Sequence, residues 1–168
     1  SITKEVLQLA AEMSKAYYKA SLRLAYSGGK DSDVMLRIAM DCLDKNDFEV
    51  INSHTSVAAP ETVYYIRQIF AELENKGIKA TVHIPRYKDG KQITMWNLIE
   101  KKQMPPTRFA RYCCEKLKEA STPNRMTAVG VRRDESAGRG GRDVFTTFLS
   151  SSKKTAKNTR QFGLEHAN

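Results

Sequence analysis

Between residues 3 and 20, apolar side chains return every three or four positions: Val6, Leu9, Ala10, Met13, Ala16 and Tyr17. That period predicts an amphipathic helix, with Thr3 as its cap. The period then shortens. Residues 22–26 read as a strand and run directly into a turn with two adjacent glycines. Helical spacing resumes over 33–43, where Val34, Ile38 and Leu43 share a face that Met35 and Ala39 widen. A second strand is expected at 48–55 and a helix at 61–75, with Pro60 in its first turn and Gly77 beyond its end. Residues 80–85 form a third strand, 93–102 a helix stopped by Pro105 and Pro106, 109–120 another helix, and 126–131 a fourth strand. Strands that alternate with helices in this way predict a doubly wound α/β fold, with a mostly parallel sheet and helices on both faces. The expected division is an α/β domain over 1–140 and a flexible basic segment over 141–168, read also as part of an incomplete C-terminal region, with no internal repeat.

In such sheets ligands sit beyond the carboxyl ends of the strands. The loops there carry the most chemistry: 27–32 after the first strand, 55–61 after the second and 132–139 after the fourth. The richest is Ser27-Gly28-Gly29-Lys30-Asp31-Ser32. Glycines allow a sharp turn and close backbone approach to a ligand, and the next helix aims its free N–H groups and positive dipole end at the same place. Ser27 and Ser32 add hydroxyls, and Lys30 adds a mobile positive charge. A nest of this kind suits phosphate oxygens. It matches neither Gly-x-x-x-x-Gly-Lys-[Ser/Thr] nor Gly-x-Gly-x-x-Gly. Asp31 is a candidate Mg²⁺ ligand, because Mg²⁺ favours a carboxylate combined with phosphate oxygens.

The net charge of +9 fits an anionic partner, although a solvated basic surface explains it equally well. Arg108, Arg111, Arg132, Arg133 and Arg139 are planar forks suited to phosphate or sulfate. Thr55 and Glu61 are the candidates in the loop after the second strand. Glu61 and Glu135 are expected to orient arginines or a metal, and Glu61 also reads simply as a favourable charge in a helix's first turn. Of three cysteines, Cys42 reads as core packing. Cys113 and Cys114 read as reactive thiols, metal ligands or small buried residues. No apolar run is long enough to span a bilayer, and the expected compartment is the cytoplasm.

The six-residue loop resembles the pyrophosphate loop (PP-loop) of N-type ATP pyrophosphatases, in the adenine nucleotide alpha hydrolase superfamily. Within that group, His54 to Thr62, the paired-cysteine stretch from Met104 to Cys114, and Gly130-Val131-Arg132-Arg133-Asp134-Glu135-Ser136-x-x-Arg139 resemble the phosphoadenosine phosphosulfate (PAPS) reductase family. All these pieces fall in family order between residues 22 and 140. The resemblance implies an enzyme of sulfur metabolism that binds ATP, PAPS or adenosine phosphosulfate (APS). Lys30, Asp31, Arg132 and Glu135 are then the catalytic candidates. Ser27 to Ser32, Thr55, Glu61, Arg108, Arg111, Arg132 and Arg139 would hold the nucleotide.

The intact Lys30-Asp31-Ser32 ending favours ATP, cleaved between its α- and β-phosphates with release of pyrophosphate. The alternatives are sulfite release from PAPS or APS with a thioredoxin-like partner, or the ATP-pyrophosphatase step of DNA phosphorothioation or tRNA thiolation, with a sulfur-donor protein and a nucleic acid substrate. A nucleic-acid-binding module with a vestigial loop ranks last. The resemblance also implies an iron–sulfur cluster on Cys113 and Cys114; such a cluster takes four thiolates, so it is expected only if a C-terminal cysteine pair is missing from this chain. The tail reads Phe162-Gly163-Leu164-Glu165-His166, where reductases of the family carry a catalytic cysteine.

Overall fold

The computed structural model describes residues 2–107, 109–118, 124–130 and 144–145. Its elements run α1 (Ile2–Tyr18), β1 (Leu22–Ala25), α2 (Lys30–Cys42), β2 (Phe48–Ser53), α3 (Pro60–Asn75), β3 (Ala80–His83), α4 (Met95–Lys102), α5 (Tyr112–Leu117) and β4 (Thr127–Val129). All lie in one compact unit, Ser1–Gly130. The fold is α/β, with a four-stranded sheet in the order β3-β2-β1-β4. All three strand pairs are parallel.

The register sorts the side chains by face. Leu22 lies opposite Phe48, Leu24 opposite Val50 and Ala128, and Val50 opposite Ala80. These residues point to one side and join a single core with Leu7, Ala10 and Ala11 of α1, Met35, Leu36 and Ala39 of α2, and Ile66, Phe70 and Leu73 of α3. The crossovers β1–α2–β2 and β2–α3–β3 step in the same direction along the sheet. Right-handed crossovers then set α2 and α3 on the same face.

The other side carries Arg23 opposite Glu49 and Thr127. Glu49 is buried, yet it accepts from Arg23 Nε at 2.6 Å, Arg125 Nη2 at 2.8 Å and Lys79 Nζ at 2.9 Å. Burial alone would raise its pKa. The hydrogen bonds from Arg23 and Lys79, with the Arg125 charge, outweigh that and hold the carboxyl below its ordinary range.

Two helical faces differ from expectation. On α1 the buried positions are Leu7, Ala10, Ala11 and Ser14, while Leu9 and Tyr17 stand exposed. Small residues at the contact let α1 lie close to its neighbours, and Ser14 Oγ donates to Ala20 O at 2.8 Å. The helix already includes Thr3, which therefore does not cap it. On α2 the helix begins at Lys30, inside the glycine loop. Its buried face is Ser32, Met35, Leu36 and Ala39, and Val34 turns outward. Cys42 packs partly buried against the core, and burial pushes its thiol pKa up. Among the described residues no helix is long and apolar enough to cross a membrane.

Candidate functional site

After β3 the chain returns to the far side of β1, so strand order reverses between β1 and β4. In sheets of this kind ligands bind at such a reversal, beyond the carboxyl ends of the strands. The glycine loop lies there. Tyr26 is anchored on both sides of its peptide: its N–H donates to Ile51 O at 2.8 Å, and its carbonyl accepts from Asn52 Nδ2 at 2.9 Å. Gly28 then turns with φ of 75°, a conformation that favours glycine. A Cβ at Gly28 would sit 2.9 Å from Ile66 Cγ1 and 3.3 Å from Thr62 Cγ2, so the loop presses on the first turns of α3. Gly29 is the N-cap of α2 and supplies no side chain to the first-turn N–H groups. On the other flank, a Cβ at Gly130, just past β4, would lie 2.7 Å from Asp31 O. Backbone thus packs on backbone where the chain leaves β4 beside the start of α2.

Ser32 is buried beneath the turn. Its hydroxyl donates to Gly29 O at 2.7 Å and accepts from the Ser27 N–H at 3.4 Å, so its proton is used within the loop. Lys30 and Ser27 are exposed and Asp31 is half-buried. The surface of the nest therefore presents backbone N–H groups, an ammonium and a hydroxyl, with a carboxylate beside them. This combination can grip a polyanion and a hard cation bound to it.

Sequence reasoning assigned no role to the group beneath this nest. Tyr26 OH donates to Asp33 Oδ1 at 2.5 Å, and Tyr65 OH donates to Asp33 Oδ2 at 3.1 Å. One carboxylate in the first turn of α2 thereby joins the end of β1 to α3. Tyr26 packs on Phe70 with ring centroids 5.9 Å apart. Burial, then the Asp33 hydrogen bond and charge, raise the Tyr26 pKa well above its ordinary value, so it stays a donor. The acidic run Asp31-x-Asp33 was a visible signal, but its tyrosine partners come together only through the fold.

The other candidates are distributed unevenly. Thr55 is half-buried in the loop after β2, where its carbonyl accepts from Ser56 Oγ at 2.5 Å. Glu61 is exposed in the first turn of α3, next to the Thr62 that borders Gly28. Arg111 is the N-cap of α5, and its Nη2 lies 3.5 Å from Cys114 Sγ. Cys113 packs against a satellite cluster of Ile93, Leu98 and Leu117. Among the described residues no group of three or more His, Cys, Asp or Glu side chains could hold a metal. The two adjacent thiols, with Cys42 in a different core, are two of the four thiolates that an iron–sulfur cluster takes. Arg108, Arg132, Arg133, Glu135 and Arg139 lie outside the described residues, as does nearly all of 141–168.

The family model of the phosphoadenosine phosphosulfate reductase domain matches residues 21–154. The chain belongs to this family. The match spans the glycine loop, the cysteine pair and the segment after β4. Among solved structures, this PAPS reductase-family chain is similar to the NH3-dependent NAD synthetase from Campylobacter jejuni subsp. jejuni NCTC 11168 in complex with the nitrate ion. Identity is 18% and the TM-score 0.46, over 76% of this chain and 53% of that one. The chain therefore spans about half the length of that protein. Curated proteins provide no match.

Proposed function

We propose that this chain binds an adenine nucleotide, ATP foremost, through Ser27 to Ser32, and cleaves it between the α- and β-phosphates in the service of sulfur transfer. The observation that carries the reading is the loop itself. A positive-φ glycine turns onto an uncapped helix start at the point where strand order reverses. Family membership supports the substrate class.

In this reading, backbone N–H groups of the loop and the first turn of α2 take phosphate oxygens, with Ser27 Oγ and Lys30 Nζ adding contacts. Asp31 would hold Mg²⁺ carried by the nucleotide, and Mg²⁺ would supply charge neutralisation at the phosphates. Tyr26, Asp33 and Tyr65 keep the start of α2 aimed at the site. Arg132, Glu135 and Arg139, in the segment that follows Gly130, stabilise or orient the reacting groups, and Thr55, Glu61, Arg108 and Arg111 complete the nucleotide contacts.

The direct test is incubation with labelled ATP and Mg²⁺, with candidate sulfur acceptors. Pyrophosphate release that disappears in Lys30→Ala and Asp31→Ala supports the proposal. Unchanged nucleotide affinity in both variants refutes it. The family's name favours a second reading, reduction of PAPS or APS to sulfite with a thioredoxin-like donor. Sulfite release in a parallel assay that supplies PAPS or APS and reduced thioredoxin, with no pyrophosphate from ATP, selects that reading.

A further inference from the structure

A depression on the described surface is lined by residues other than those of the glycine loop. It has a volume of about 640 Å³ and is lined by Tyr87, Lys88, Asp89, Lys91, Asn97 and Lys101. Its floor is a short hairpin joined to α4. Arg86 and Gln92 form an antiparallel bridge, Tyr87 N–H donates to Lys91 O at 2.8 Å, and Gly90 turns with φ of 87°. Asp89 Oδ1 accepts from the Lys91 N–H at 3.0 Å, which ties that carboxylate to the turn.

The fixed polar groups of this depression are already used. Asn97 Nδ2 donates to Gln92 O at 2.8 Å, while its Oδ1 accepts from Thr94 N–H at 3.0 Å and from Tyr87 OH at 3.3 Å. Lys101 Nζ lies 5.2 Å from the centroid of the Tyr87 ring, which occupies one ring face. The ammonium groups of Lys88, Lys91 and Lys101, on exposed stems, are what it offers a ligand, with Lys102 next along α4. These three cations face one carboxylate, a local excess in a chain whose net charge is +9.

Mobile point charges around a shallow floor discriminate poorly among small molecules, which need enclosure and oriented donors. They suit a ligand that repeats its negative charge along its length. The hairpin also sits at the carboxyl side of the sheet. Ser56 Oγ, in the loop after β2, accepts from the Met95 N–H at 2.9 Å and so couples the start of α4 to that side. Trp96, next to Asn97 in the sequence of α4, is exposed and offers an indole for stacking.

We propose that the groove formed by Tyr87, Lys88, Lys91 and Lys101 binds the phosphodiester backbone of a nucleic acid strand. This site does not depend on the nucleotide reading of the glycine loop, and its test contains no nucleotide. The probe is a fluorescent single-stranded DNA of about 20 nucleotides, titrated with the full chain by anisotropy across a salt series. For single strands each lysine–phosphate contact contributes about 0.7 to the slope of log K against log salt.

The triple variant Lys88→Ala, Lys91→Ala, Lys101→Ala is expected to lower that slope by about 2 and to weaken binding about 100-fold at 0.1 M salt. The control is Lys19→Ala, Lys45→Ala, Lys76→Ala, which removes the same charge from loops that lead into β1, β2 and β3 at the opposite end of the sheet. Near-wild-type binding by the control, with loss in the groove variant, establishes the site. Equal losses in both variants mean that net charge alone is responsible and overturn the proposal. The proposal also fails if oligonucleotide binding is undetectable at 0.05 M salt (roughly the low end of the range over which such contacts are read), or if the chain binds anionic phospholipid vesicles in place of the oligonucleotide.

Discussion

Replacement of Gly28 by alanine tests the loop geometry most directly. Two costs arise at this position. An L-residue at φ of 75° pays about 1–2 kcal/mol for left-handed backbone. The new methyl would also stand 2.9 Å from Ile66 Cγ1 and 3.2 Å from its Cδ1, inside normal contact. Ile66 is buried in the main core, so it cannot swing into solvent. Forcing a methyl into such packing costs about 1–3 kcal/mol. The combined loss is about 2–5 kcal/mol, which corresponds to a fall in Tm of roughly 4–20 °C for a chain of this size.

Urea denaturation followed by circular dichroism measures the loss. Gly29→Ala is the internal comparison. Its φ is −93°, and the nearest atom to its Cβ is Ser27 Oγ at 3.5 Å, so it should lose at most about 1 kcal/mol, from weaker N-cap preference. A double-mutant cycle with Ile66→Ala adds a second readout, because removing the obstructing side chain should recover part of the Gly28→Ala penalty. If Gly28→Ala is as stable as wild type, or costs no more than Gly29→Ala, the described approach of loop to α3 is wrong.

Other outcomes follow from contacts elsewhere. Glu49→Gln should cost about 3 kcal/mol in urea unfolding, because Arg23 and Arg125 lose a buried counter-charge. The Glu49 carboxyl is held below its ordinary range, so the stability it contributes is fully present above its unfolded pKa and is lost as pH falls through the folded value. The wild-type stability curve should therefore drop more steeply below about pH 4 than that of Glu49→Gln. Asp33→Ala should cost about 1–3 kcal/mol, since the buried Tyr26 hydroxyl loses its acceptor, and Asp33→Asn should cost less. Ser56→Ala removes the acceptor of the Met95 N–H and should weaken α4 locally by about 1 kcal/mol, read as faster amide exchange at the start of that helix.

The alternation of periods made the order of strands and helices legible, and adjacent glycines after an apolar run marked the loop. The faces of helices were less legible. On α1 the apolar positions outnumber those the sheet can cover, and Ala10 and Ala11 win because close packing rewards small residues over Leu9. On α2 the helix starts three residues earlier than its apolar spacing implies, because the loop's Lys30, Asp31 and Ser32 form the first turn. The clamp on Asp33 was hidden for a different reason. Its donors, Tyr26 and Tyr65, lie on opposite sides of it in sequence, and only the crossover through α3 brings them together. Glu49 carries no distinguishing signal within the strand expected at 48–55. Its three cationic neighbours come from β1 and from the loops that enter β3 and β4.

The contact between Gly130 and Asp31 has a consequence for synthesis. Residues that cradle the candidate phosphate nest emerge from the ribosome early, yet their lateral wall is made roughly a hundred residues later. Until β4 arrives, β1 is an open border strand whose Arg23 N–H still awaits Met126 O, at 3.1 Å in the finished fold. An incomplete nascent chain therefore carries an unpaired, pairing-competent strand beside a half-built nest. Closure of that border and completion of the nest are a single late event, so a chain halted before residue 130 should be recognised by chaperones rather than by nucleotide.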